Sequence, residues 1–265
     1  MESQQHKEMQ EEKQNPKVLI AAVTFAKHAF CFDEFMNAIR AQNYKNYDLL
    51  FVDNSRGDLA QEYQNKLKST GAAVIHDSAI FDHKIKTITN GRKMIRDYLL
   101  QHREYEYLFF VDTDVIIPPF ALSRLLKRNK SLISGVVLTN MKIEGVNIIA
   151  PCIYDFGGEE TVRVIDISEV LSDRFLKIYT AGFGCALIAR KVLEKVDIDY
   201  NKKSLAGEDV MFFVKAKDQG FDTFADTAVK CSHLLYPFGD KRNEKYRFEP
   251  YLKREINYSF NVKLG

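Results

Sequence analysis

Two pairs of acids and one histidine carry the chemistry that this sequence could do. The run Tyr107-Leu-Phe-Phe-Val-Asp-Thr-Asp114 ends four apolar residues in two carboxylates one residue apart. A short apolar run reads as a buried strand, and residues i and i+2 of a strand share a side, so Asp112 and Asp114 face one point beyond its end. Two carboxylates aimed at one point repel, so a cation sits between them or a proton is shared. Hard oxygen ligands suit Mg²⁺ or Mn²⁺, with substrate phosphates completing the shell. A second pair, Glu208-Asp209, follows Gly207 and precedes the helical Val210-Met-Phe-Phe-Val214. It reads either as the caps and dipole partners of a helix or as a catalytic carboxylate at the mouth of a sheet. His233 closes Val229-Lys-Cys-Ser-His233 and offers a third metal ligand from far along the chain.

Several familiar chemistries are excluded. Gly182 and Gly184 lack the third glycine of a dinucleotide fingerprint, and neither a P-loop nor a His-Glu-x-x-His zinc motif occurs. Cys31, Cys152, Cys185 and Cys231 are too scattered for a zinc or redox motif. They read as reduced thiols and suggest a cytoplasmic protein. The formal net charge of +2 implies no nucleic acid or other polyanionic partner.

The elements that must position these groups alternate. Strands are expected at Lys17–Phe25, Tyr47–Asp53 and Ala72–Ile75, and helices at Phe32–Ala41, Leu59–Leu67 and His83–His102. The acidic strand follows. This order predicts an α/β fold with a mostly parallel central sheet flanked by helices. Functional groups in such sheets gather beyond the carboxyl ends of the strands, where Thr24, Asp53 and Asp112 to Asp114 all fall. The second half is less regular. Strands are expected at Ser131–Leu138, at Asn147–Tyr154 and Glu160–Ile167 around Gly157-Gly158, at Ala181–Ile188 and at Phe221–Val229. Helices are expected from Arg190 and over Val210–Gln219, the latter closed by Gly220. The polar residues 1–16 read as a disordered arm. Residues 234–265, rich in basic and aromatic side chains, read as a C-terminal arm: a packed segment, a partner surface or a peripheral membrane contact. No apolar run is long enough to span a bilayer.

Taken together, these segments resemble a glycosyltransferase of the GT-A fold, family 2 in style, over residues 17–233. The resemblance implies a nucleotide-sugar donor carrying UDP or GDP, a Mn²⁺ or Mg²⁺ ion, and an acceptor hydroxyl on a glycan, a lipid-linked group or a protein. Asp53 then reads the base, and Asn90-Gly-Arg92 faces the diphosphate with help from Lys84 or Lys86. Asp112-Thr113-Asp114 is the metal motif, with Asp112, Asp114 and His233 as the metal set and Asp112 lying toward the ribose or a metal-bound water. Thr24, Gly182 and Gly184 line the donor. Asp209 is the base that deprotonates the acceptor, Glu208 positions it or exchanges roles with it, and the outcome is inversion. The chain departs from the family in having no Gln-x-x-Arg-Trp and no tryptophan, which argues against a processive synthase. Two other classes fit parts of the pattern. A haloacid-dehalogenase-type phosphatase would use Asp112 as nucleophile with Gly239-Asp240 as its late acid, and a non-catalytic protein would only bind the nucleotide sugar.

Overall fold

A computed structural model describes residues 15–143, 145–158, 161–200, 207–252 and 260–263. Most of the N-terminal arm expected at residues 1–16 lies outside these. The first four strands are β1 (Val18–Thr24), β2 (Tyr47–Asp53), β3 (Ala73–His76) and β4 (Tyr107–Val111). They pair in parallel in the order β3-β2-β1-β4. The chain therefore steps outward from β1 to β3, then crosses back to lay β4 on β1's other side. That reversal opens a crevice beyond the carboxyl ends of β1 and β4, where ligands of such sheets bind.

Each central strand is apolar throughout because both its faces are covered. In β1, Leu19 and Ala21 join one buried cluster, while Val18, Ile20 and Ala22 join the other. The two sides of β4 divide likewise, Leu108 and Phe110 against Phe109 and Val111. Helix α1 (Phe32–Arg40) seals one face with Phe32, Phe35, Met36 and Ile39, joined by α2 (Leu59–Lys68). Helix α3 (Lys84–Gln101) covers the opposite face with Ile95 and Leu99. Gly91 sets how closely α3 lies on β1, since a Cβ there would come within 2.9 Å of both Val23 methyls.

The second half widens the sheet. After β5 (Val115–Ile116) and α4 (Ala121–Lys127), strand β6 (Leu132–Ile143) pairs with β7 (Val146–Pro151). Strands β8 (Ile153–Gly158) and β9 (Thr161–Val164) form a separate hairpin, followed by α5 (Ile167–Leu171) and β10 (Phe175–Ile178). Short β11 (Thr180–Ala181), β12 (Cys185–Ala189), α6 (Arg190–Leu193), α7 (Glu208–Asp218), β13 (Thr223–His233) and β14 (Phe260–Lys263) complete the order. The main path runs β10-β13-β6-β12-β4-β1-β2-β3. Along this path β12 and β10 oppose the rest, and off it β5 and β7 also pair antiparallel, so the expected mostly parallel α/β sheet stands along its central strands. Gly220 (φ +83°) ends α7 just past its C-cap, as its position suggested.

Three details differ from the sequence reading. The strand expected over Asn147–Tyr154 breaks at Cys152, which separates β7 from β8. The strand expected to reach Ile167 stops at Val164, because Asp166 and Glu169 form a reciprocal capping box that starts α5. The elements β5, α4 and β10 were not anticipated. The described part of the C-terminal segment is packed on the body: Tyr246, Phe248 and Tyr251 are buried, and β14 pairs with β9.

Candidate active site

Two cavities meet at Asp112. The larger, of about 520 Å³, occupies the crevice between β1 and β4 and is of ligand size. Its walls include Thr24 and Phe25 at the end of β1, Lys27 and His28 just beyond, Asn54 after β2, Lys84, Thr87 and Arg92 along one face of α3, and Asp112-Thr113-Asp114. The smaller, of about 120 Å³, lies on the other side of Asp112, among Gly182, Gly184, Cys152, Asp209 and His233.

Asp114 and His233 are brought together from the ends of β4 and β13. His233 Nε2 lies 3.5 Å from Asp114 Oδ2. His233 Nδ1 lies 2.9 Å from the Leu138 carbonyl, which can only accept, so Nδ1 carries the proton. This is the orienting bond typical of metal-ligating histidines. Two ligand atoms at about 2.1 Å on adjacent corners of an octahedral ion would lie about 3 Å apart; the observed 3.5 Å is wider, so this pair could hold a divalent cation only after a small closing movement. Burial pushes the Asp114 carboxyl up, but the bond and charge of His233 outweigh it and hold it below its ordinary range. Burial lowers His233, but Asp114 more than offsets this and raises it.

The expected trio of Asp112, Asp114 and His233 does not close as a three-ligand cluster; no cluster of three or more such side chains exists among the described residues. Asp112 turns instead to Arg92, whose Nη2 donates to its two oxygens at 3.1 and 3.3 Å. Arg92 Nη1 donates to Glu208 Oε1 at 2.5 Å and lies 3.9 Å from Asp209 Oδ2. Phe183 lies under the guanidinium at 4.9 Å, and the arginine is only 6% exposed. Burial alone would lower its pKa; the surrounding acids reverse that, so it stays charged. Burial pushes Asp112 up, partly offset by Arg92, and Asp114 adds to the rise. Glu208 is raised in the same way, by burial, with Arg92 opposing and Asp209 assisting. The expected diphosphate role of Arg92 thus meets a guanidinium already bonded to carboxylates. Lys84 lines the larger cavity, whereas Lys86 is paired with Asp82 at 2.7 Å.

The structure separates the two acids at the start of α7. Glu208 is buried against Arg92 and lines neither cavity. Asp209 faces the smaller cavity, with Oδ1 accepting from the Val210 amide at 2.8 Å. Gly182 must be a glycine there, because a Cβ would sit 2.5 Å from Cys152 Sγ and 3.4 Å from Asp209 Oδ2. The Cys152 thiol is pushed up to about 12 by burial and by Asp209, so it stays protonated. Gly184 leaves room: a Cβ there would meet Asp112 Oδ2 at an ordinary 3.6 Å.

Other expected residues sit deeper. Thr24 is buried and bonds the Tyr63 hydroxyl at 2.7 Å, with Thr113 at 3.4 Å. Asp53 is wholly buried and lines neither cavity; Oδ1 accepts from the Ser55 amide and hydroxyl, while Oδ2 makes no hydrogen bond and lies 3.5 Å from His76 Nδ1. Asn90 donates to Asp77 Oδ2 at 3.0 Å and lines neither cavity. The sequence reading missed His28, whose ring lies tilted at 4.4 Å from Phe25 and reaches Thr113 at 3.4 Å. It also missed Asp77, the partner of Asn90. Both follow the ends of parallel strands, the rule that had already picked out Thr24 and Asp53. Asp240, the late acid of the phosphatase reading, caps a surface turn and pairs with Arg242 at 2.7 Å instead of lining either cavity.

No sequence-family model and no curated protein matches the chain. Solved structures do match, at low identity. The mannosyltransferase PcManGT from Pyrobaculum calidifontis, in complex with GDP-Man and Mn²⁺, aligns over 85% of this chain and 59% of its own at a TM-score of 0.56 and 13% identity. GalNAc-T7 with UDP, GalNAc and Mn²⁺ aligns over 84% of this chain and 45% of its own at 0.59 and 9%. The 1–349 portion of S. aureus TarS with UDP aligns over 79% of this chain and 57% of its own at 0.50 and 14%. The chain therefore spans about half the length of the structures it matches. It shares with them the Rossmann-like GT-A fold.

Proposed function

We propose that this chain is a divalent-cation-dependent glycosyltransferase that moves a sugar from a nucleoside-diphosphate sugar to an acceptor hydroxyl with inversion. The observation that carries the proposal is the meeting of two cavities at Asp112: a nucleotide-sized cleft holding Asp114 on one side, and a small chamber holding Asp209 on the other. Structures of like fold hold GDP-Man or UDP with Mn²⁺, in keeping with this reading.

The donor lies in the larger cleft. Its base is directed past Asn54 to the end of β2, where Asp53 Oδ2 makes no hydrogen bond and faces His76 Nδ1 at 3.5 Å. Thr24 and Thr113 lie along its path, and Gly182 and Gly184 keep the chamber beyond Asp112 clear of side chains. Mn²⁺ or Mg²⁺, held by Asp114 and His233, would neutralise the diphosphate as it leaves. Lys84 adds positive charge from α3. Asp209 accepts the proton of the acceptor hydroxyl, whose oxygen bonds to the anomeric carbon as the bond to the diphosphate oxygen breaks. Attack comes from the face opposite the leaving group, so the configuration inverts. Glu208 does not touch the reacting atoms; through Arg92 it positions the start of α7. The test is a panel of UDP- and GDP-sugars with Mn²⁺, read by thermal shift and by nucleoside diphosphate release. Release with one donor, abolished by chelator, is the expected result; no shift and no release with any donor contradicts the proposal.

A further inference from the structure

We propose that Arg92 is a positioning residue that couples occupancy of the cation and donor site to the carboxylates on the acceptor side. This rests on the glycosyltransferase reading and adds a regulation of the same site. The observation is a shared counterion. One buried guanidinium gives its Nη2 to Asp112, which borders the larger cleft, and its Nη1 to Glu208, with Asp209 3.9 Å away. These partners lie 20 and 116 residues from it in sequence, so the fold brings both sides onto a single cation.

An arginine cannot shed its charge, and its planar fork holds two carboxylates in fixed directions. Phe183 and Phe110, adjoining rings, lie on one side of it at 4.9 and 6.0 Å. Asp112 stands between two claims. A divalent cation and diphosphate in the cleft draw on its negative charge from one side, and Arg92 draws on it from the other. As Asp112 gives charge to the cation, Arg92 leans on Glu208 and fixes the start of α7, and with it Asp209. Reciprocity follows: whatever strengthens the hold of Glu208 on Arg92 frees Asp112 for the cation. A mere brace of the fold would not link Glu208, which lines neither cavity, to nucleotide affinity, and that difference is what the experiment reads.

The experiment is a double-mutant cycle read by calorimetric titration of UDP and GDP, with Mn²⁺ and with chelator. In the otherwise unaltered chain, Glu208→Gln leaves Asp112 as the only carboxylate hydrogen-bonded to Arg92 among the described residues, with Asp209 still 3.9 Å away. Mn²⁺-dependent nucleotide affinity is expected to fall about 5-fold or more, within the usual range of coupling between sites. Asp209→Asn removes the same charge without the direct bond, so it separates coupling from a general loss of negative field; its effect is expected to stay below 2-fold. Arg92→Lys keeps the charge and loses the fork. In that background Glu208→Gln is expected to have no further effect. Circular dichroism and melting of each variant confirm that the titrated protein is folded.

Equal losses in Glu208→Gln and Asp209→Asn, or additive losses in the Arg92→Lys background, would overturn the coupling while leaving the glycosyltransferase reading intact. An unaltered chain whose nucleotide affinity ignores Mn²⁺ would remove the metal-dependent donor reading and the coupling with it.

Discussion

Two groups of carboxylates in this molecule, one wholly buried and one partly open to the cavities, are built to opposite rules. Asp226, on β13, is wholly buried and accepts from Arg124 at 2.9 Å, Arg128 at 2.6 Å and the Ala228 amide at 3.1 Å. One acid there has two full cations. At the meeting of the two cavities, Asp112, Asp114, Glu208 and Asp209 share a single arginine and one histidine. Burying charge without a partner is costly, so the first cluster is complete as it stands and the second is short of positive charge. The contrast separates scaffold from site. A cation and a diphosphate in the larger cleft would act on this balance at Asp112 and Asp114, which line it.

The largest effect is expected where the charge-poor cluster does chemistry. Asp209→Asn keeps shape and removes the proton acceptor. It should lower transfer by about 10²–10⁴-fold with donor affinity retained, measured as nucleoside diphosphate release beside donor titration. Parental turnover, or a product that retains the donor's configuration, would leave Asp209 as a helix cap.

The complete cluster should respond in stability instead. Asp226→Asn should cost about 3 kcal/mol at neutral pH, the low end for breaking a buried pair, because both arginines are about one-third exposed and can turn to water. Burial opposes ionisation of Asp226, but Arg124, Arg128 and the Ala228 amide outweigh it and hold its pKa below the ordinary value. A carboxylate depressed on folding adds stability above its unfolded pKa, about 3.9, and loses that stability as pH falls through the lower folded value. The melting-temperature gap between parent and variant should therefore be constant above about pH 5 and close on acidification through the unfolded pKa and below it. A gap that grows on acidification contradicts the pairing.

Asp53 tests the border between the two rules, since Oδ1 is bonded and Oδ2 is not. Asp53→Ala should weaken nucleoside diphosphate binding by about 1–3 kcal/mol. A lower melting point with unchanged affinity would make Asp53 only a brace for the Ser55 turn.

The same division explains what the sequence made visible. Strands β1, β2 and β4 are buried on both faces, so Val18–Ala22 and Leu108–Val111 read as unbroken apolar runs, and the acids at their ends stood out. Asp112, Asp114, Asp209 and His233 were found because a strand end or helix start marks each of them. The edge strand β10 was not, since Phe175-Leu-Lys-Ile178 is short and only half buried. The carboxylate partners of Arg92 were not legible for another reason. Its position on α3 was legible, but its acidic partner Glu208 lies 116 residues away, and no local pattern reports that pairing. Asp166-x-x-Glu169, by contrast, was a capping signal in plain view that an apolar run overshadowed.

The central claim is that the charge-poor cluster awaits a divalent cation carrying a nucleoside diphosphate. Calorimetric titration of UDP and GDP into the parent and Asp114→Ala proteins, each with Mn²⁺ and with chelator, tests it most directly. Melting temperatures in the absence of ligand confirm that the variant is folded. The account predicts binding of one nucleotide by the parent only with Mn²⁺, and loss of most of that affinity in Asp114→Ala. Equal affinity in Mn²⁺ and in chelator, or an Asp114→Ala protein that still binds as the parent does, would contradict it.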